Sequence, residues 1–195
     1  MTTFVGFIYA LVGTGVAQLA FKHQAEGSIT ANGSTLIGQD WAHTPCPGHA
    51  LGSCVFHGRP DDTGPYASNP KANPPVPGGD NPLVANGSSG ESGATNLGPR
   101  SKVLVENTKA LVRYWHRLGV NPTPDLVTTS ASGLDPDITA QDALVQVPMV
   151  SKATGIAPSK LRALITRENH GRELGFLGSS YINVLQLNQA LAKLK

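Results

Sequence analysis

Charged side chains are scarce in this sequence. Asp, Glu, Lys and Arg make up 14% of the 195 residues, against about 25% in an average soluble domain. The formal net charge is only +2 and the basic residues are scattered. The clustered positive face by which a protein grips nucleic acid is therefore missing, and nucleic acid is excluded as a partner. Catalytic signatures are missing too. There is no G-x-S-x-G, no H-E-x-x-H and no Lys-Ser/Thr pair of the phosphate-binding loop type, so independent enzymology has no motif to stand on. "GTGVAQ" at 13–18 lacks the third glycine of a dinucleotide fingerprint and lies in an apolar run. No internal repeat is present. What the sequence has instead is 22 Gly and 15 Pro, which predicts a large share of turn and irregular structure.

The longest stretch without charge is "FVGFIYALVGTGVAQLAF" at 4–21. As a helix it would measure roughly 27 Å, close to the hydrocarbon thickness of a bilayer, and it is read as a single transmembrane helix. A cleaved signal peptide competes, but no basic residue precedes the stretch and no A-x-A site follows it. Gly6, Ala10, Gly13, Ala17 and Ala20 recur at steps of four and three, which places them on one face of an α-helix. Small side chains on one face let another helix approach closely in lipid, so this face is expected to pack on a companion span.

Residues 22–100 read as the loop-rich part of the domain that follows this helix. Its connectors are "NPKANPPVPGGDNP" at 69–82 and "NGSSGESG" at 86–93, and its short strand candidates are "STLIGQ" at 34–39 and "CVFHG" at 54–58. Residues 101–195 read as the α/β part of the same domain. A helix is expected over 101–118, with Val105, Thr108, Leu111, Val112, Trp115 and Leu118 on its apolar face. "DLVTTSAS" at 125–132 is β-branched and predicts a strand. Thr139 and Asp142 form a capping box that opens a second helix, which Pro148 should kink or end. Pro158 opens a third helix. A strand near 181–184 and a last helix through Leu187, Leu191 and Leu194 complete the pattern.

"HTPCPGHALGSCVFHGRP" at 43–60 holds His43, Cys46, His49, Cys54 and His57 at close spacing. A metal site, a Cys46–Cys54 disulfide and two free thiols are all compatible with it, although the spacings fit no standard zinc module.

Several motifs then occur in a fixed order: "FHGRP" at 56–60, "SGATNLGP" at 92–99, "LVTTSASGLDPDIT" at 126–139, "QVPMV" at 146–150, "GRELGFLG" at 171–178 and "INVLQLNQAL" at 182–191. In this order they resemble the C subunit of the bacterial Kdp potassium-transporting P-type ATPase, and the likeness covers nearly the whole chain. The resemblance implies a single-pass protein of the cell inner membrane with its body on the extracytoplasmic side. It implies as partners the channel-like potassium-binding subunit and the ATP-hydrolysing subunit. The role it implies is accessory and non-hydrolytic: assembling or stabilising the complex and raising the ATP affinity of the pump subunit. It implies no tightly bound cofactor, with ATP reached through the complex. The family's nucleotide-linked loop carries over onto Ser92, Gly93, Thr95 and Asn96. Ala94 stands where that loop usually has a second Gly, and Thr95 replaces Ser, so a plain structural turn is the competing reading.

An extracytoplasmic body would place Cys46 and Cys54 in an oxidising space, which favours the disulfide over a metal site. His57 and Arg59 belong to the "FHGRP" motif. Packing with turn hydrogen bonds and contact with a partner subunit are both open for them. The alternative to the whole reading is a cleaved, secreted domain that binds a metal through the His/Cys loop.

Overall fold

The computed structural model describes residues 1–60 and 92–194. The connector at 69–82, and all of 86–93 except Ser92 and Gly93, lie outside the described residues. The chain divides into two units, Met1–Leu36 and the remainder from Ile37 onward.

In the first unit a π turn, Phe4–Ile8, runs into α1, Tyr9–Ala20. The Tyr9 amide bonds the carbonyl of Phe4, five residues back rather than four. Phe21 leaves helical torsions at φ −136°, and the four-residue α2, Lys22–Ala25, follows. The stretch expected as one helix over 4–21 is helical as far as Ala20 with a π turn near its start, and no helix among the described residues is long and apolar enough to cross a membrane. A small hairpin closes the unit, pairing β1, Ile29–Thr30, antiparallel to β2, Gly33–Ser34.

The second unit is α/β with little sheet. Ser101 caps α3, Lys102–Arg117, by accepting from the Leu104 amide. Leu111, Tyr114 and Trp115 are buried, while Lys102, Glu106, Lys109, Arg113 and Arg117 face water. Val105, expected inside, is exposed. The stretch 125–132 is not a strand: Asp125–Val127 is a 3-10 turn, positioned under α3 by a hydrogen bond of 2.9 Å from Trp115 Nε1 to the Leu126 carbonyl. β3, Asp137–Ile138, pairs antiparallel with β4, Ile182–Asn183. Of the other strand candidates, "CVFHG" joins no ladder, and only Ser34 of "STLIGQ" lies in one.

Thr139 and Asp142 make the expected capping box at the start of α4, Ala140–Thr154. Pro148 does not end this helix. It is exposed, so its missing N–H falls on the solvated side, and the helix continues to Gly155, whose φ of 73° provides the left-handed exit. α5, Pro158–Glu168, starts with its proline in the first turn, and α6, Val184–Ala192, is capped by the Asn183 side chain. α4 packs on α5 and α5 on α6. The core joins Trp115, Leu126, Val147, Leu161, Ile182 and Leu187. Phe56, from the loop-rich region, is fully buried in the same cluster.

Candidate functional site

The ordered motifs meet around 56–59. Phe56 and His57 are buried, yet neither lies in a strand. Their peptide groups therefore need partners from elsewhere, because a buried backbone polar group without one is costly. Two carboxamides supply them. Asn188 of α6 accepts from the Phe56 amide and donates to the Phe56 carbonyl, both at 2.8 Å. Gln146 of α4 accepts from the His57 amide at 2.8 Å and donates to its carbonyl at 3.1 Å. A carboxamide carries a donor and an acceptor side by side, which is the pattern a neighbouring strand would offer. Sequence reasoning missed both roles. The available signal was a polar residue set among the core positions of each helix, Gln146 beside Val147 and Asn188 beside Leu187.

The His57 ring is enclosed. Its Nε2 lies 2.8 Å from the Gly52 carbonyl, which assigns the proton to Nε2, and its plane meets the Trp115 ring edge-on at 5.2 Å. Loss of hydration on burial lowers its pKa to about 4, only partly offset by the Gly52 carbonyl. At 3% exposure, the His57 ring serves packing within this domain.

Arg59 lies next along the chain. It donates to the carbonyls of Thr129 at 3.1 Å and Thr128 at 3.4 Å, and lies 3.7 Å from Asp135 and 4.0 Å from Asp125. It thereby ties "FHGRP" to "LVTTSASGLD". Arg59 also borders a cleft of about 150 Å³ lined by Asp135, Asp137, Thr139 and Ser180. The carboxyl of Asp137 is held above its ordinary range by burial, against the opposing hydrogen bond from Asn183.

Cys46 and Cys54 are joined, with their Cα atoms 5.7 Å apart. Their thiolates are therefore not metal ligands, His43 is paired with Asp40, and His57 is committed to Gly52. The pairing is the one expected for an oxidising space, and it leaves the metal-binding alternative at 43–57 without thiolate ligands. Among the described residues no group of three or more His, Cys, Asp or Glu is placed to hold a metal ion.

The 92–96 segment straps the 130–133 turn. The Gly93 amide and the Ser92 hydroxyl both donate to the Ser132 carbonyl, at 2.9 and 2.8 Å. The Thr95 hydroxyl accepts from the Leu97 amide at 3.2 Å, and the Asn96 side chain donates to the Ala94 carbonyl at 3.0 Å. The small residues of the first unit form no such contacts: a Cβ added at Gly6 or Gly13 would meet nothing within 4 Å.

Comparison with known proteins covers the whole of this arrangement. The family model described as "K+-transporting ATPase, c chain" matches residues 1–193. The potassium-transporting ATPase KdpC subunit of Methylorubrum populi is 41% identical, over 100% of this chain and 92% of its own length. That of Gloeobacter violaceus is 38% identical, over 95% and 86%, and that of Methylorubrum extorquens 37%, over 100% and 92%. With motifs at 56–60, 126–139, 146–150 and 182–191 joined in one hydrogen-bonded hub and a family match along nearly its full length, the chain belongs to the KdpC family, the c chain of K+-transporting ATPases.

Proposed function

We propose that this protein is the accessory, non-hydrolytic subunit of an ATP-driven potassium uptake complex, assembling or stabilising the potassium-binding and ATP-hydrolysing subunits. The observation that carries this reading is the family match over residues 1–193, together with curated relatives named as potassium-transporting ATPase subunits.

In this reading the uncharged helical run, the π turn Phe4–Ile8 with α1, crosses the inner membrane and packs through Gly6, Ala10, Gly13, Ala17 and Ala20 on a companion helix. The body is extracytoplasmic. The Cys46–Cys54 bond supports that side, since disulfides persist in oxidising compartments and are rare in the cytosol. Any effect on ATP affinity travels through the complex. Two donors that a phosphate could use at 92–96, the Gly93 amide and the Ser92 hydroxyl, are engaged on the Ser132 carbonyl.

The test is affinity purification of the full-length chain from detergent-extracted membranes of its own host. Two larger potassium-transporting ATPase subunits are expected to co-purify in stoichiometric amount, and an unaccompanied chain in every mild detergent would reject the proposal.

A further inference from the structure

The segment 169–180 is exposed along its whole length. It is nonetheless built rather than loose. At its base His170 and Tyr181 exchange backbone hydrogen bonds of 2.8 and 3.1 Å, and their rings stack at 4.9 Å. Farther out Glu173 and Leu177 exchange a second pair, at 3.0 and 2.9 Å. The chain reverses through Leu174 and Gly175, with φ of 52° and 81°. The result is a braced arm whose tip presents Leu174 at 81% exposure, Phe176 at 69% and Leu177 at 49%. Single exposed apolar residues are ordinary on protein surfaces. Three within four positions, held at the end of a hydrogen-bonded arm, form a localised apolar patch of the kind that marks an interaction site.

We infer that this arm docks into an apolar pocket on a companion subunit of the same complex, with Phe176 and Leu174 as anchors. The inference rests on the function proposed above and names the surface that serves it. The charges beside the tip choose protein over lipid. Arg172 and Glu173 flank it, one of each sign, and neither makes a side-chain hydrogen bond or ion pair with any described residue. A membrane-surface element needs a basic excess to meet anionic headgroups, and this arm has none. An apolar anchor bordered by Arg and Glu instead matches the centre and rim of a protein interface. The two signs fix the orientation of docking, so the receiving pocket carries a carboxylate for Arg172 and a cation for Glu173.

The experiment uses the assembled complex, with a photoreactive phenylalanine analogue in place of Phe176 of the full-length chain. Irradiation is expected to give an adduct with a companion polypeptide, identified by mass spectrometry. In that labelled chain Leu174→Gly should lower the adduct yield roughly tenfold without lowering the melting temperature, because glycine suits the positive φ. Adducts with lipid alone, or none, in a preparation that still contains the companion subunits overturn the inference and leave the proposed function standing. An undiminished yield in Leu174→Gly also counts against it, and a chain purified without companions overturns both readings.

Discussion

The side chain of Gln146 holds the peptide groups of His57 from both directions, taking the amide hydrogen at Oε1 and giving one from Nε2 to the carbonyl. The same Nε2 also donates to the Asp142 carbonyl of its own helix, at 3.1 Å. Gln146 is fully buried, so its removal leaves two backbone groups unpaired and a cavity. Gln146→Ala is therefore expected to cost about 3 kcal/mol, read as a lower urea midpoint with an unchanged slope. Gln146→Glu should be worse at neutral pH, because a carboxylate oxygen would face two carbonyl oxygens. Acidification towards pH 4 should narrow the gap between Gln146→Glu and Gln146→Ala. A cost below about 0.5 kcal/mol for the alanine variant would mean that the clamp does not hold the segment.

Gly52 offers a second test of how tightly this region is built. Its φ is +74°, and a Cβ there would lie 2.8 Å from the His57 ring and 2.9 Å from the Ala42 backbone. Gly48 has nearly the same φ, +75°, with nothing within 4 Å. The pair separates torsion from collision. Gly48→Ala should cost about 1–2 kcal/mol from the left-handed backbone alone, and Gly52→Ala about 1–3 kcal/mol more from overpacking. Equal losses in thermal or chemical unfolding would show that the His57 ring can move aside.

The burial of His57 gives stability a pH dependence. With a folded pKa of about 4 against 6.5 for an exposed imidazole, the unfolded chain binds more protons than the folded one between those values. Stability therefore rises with pH, is fully present above about 6.5, and is lost as pH falls towards 4, by on the order of 3 kcal/mol. Asp137, raised by burial, acts in the opposite sense: its folded form binds the extra proton just above the ordinary carboxylate range, so its contribution falls as pH rises there. The His57 effect is best read between pH 6.5 and 5. His57→Asn should flatten the slope of unfolding free energy in that window, and an unchanged slope would assign it to another group.

These residues also show what was legible in the sequence. The helices α3 to α6 are legible in local signals: the apolar period through Leu111 and Trp115, the Thr139–Asp142 box, Pro158, and the spacing of Leu187 and Leu191; the capping roles of Ser101 and Asn183 emerge only in the structure. The π turn was not legible, since nothing in "FVGFI" distinguishes five-residue from four-residue bonding. The strand expectations at 54–58 and 125–132 fail for different reasons: Asp125–Val127 is a 3-10 turn despite its β-branched surroundings, whereas at 54–58 composition reports a buried segment but not what satisfies its backbone. At Phe56 and His57 that partner is a pair of carboxamides 132 and 89 residues away. Pro148 does not end α4, because a helix tolerates proline on its wet face. The "FHGRP" motif was visible as a string, while its meeting with Gln146, Asn188, Thr128 and Thr129 is a property of the packed domain.

The Cys46–Cys54 bond closes a short loop that includes Gly52, whose carbonyl faces the His57 ring. Closing a loop of this length contributes about 2.5 kcal/mol on the chain-entropy model. If that were its whole effect, the cost of replacing both cysteines by serine would be independent of His57. The geometry couples them, because the loop must be in place for the Gly52 carbonyl to accept from Nε2 at 2.8 Å. In a double-mutant cycle, Cys46→Ser with Cys54→Ser and His57→Asn should therefore be less than additive, by about 0.5–1 kcal/mol. Urea unfolding of the four proteins at pH 7 measures the term. Strict additivity would show that the disulfide acts only on the unfolded chain and leaves the position of the His57 ring to the core around Trp115.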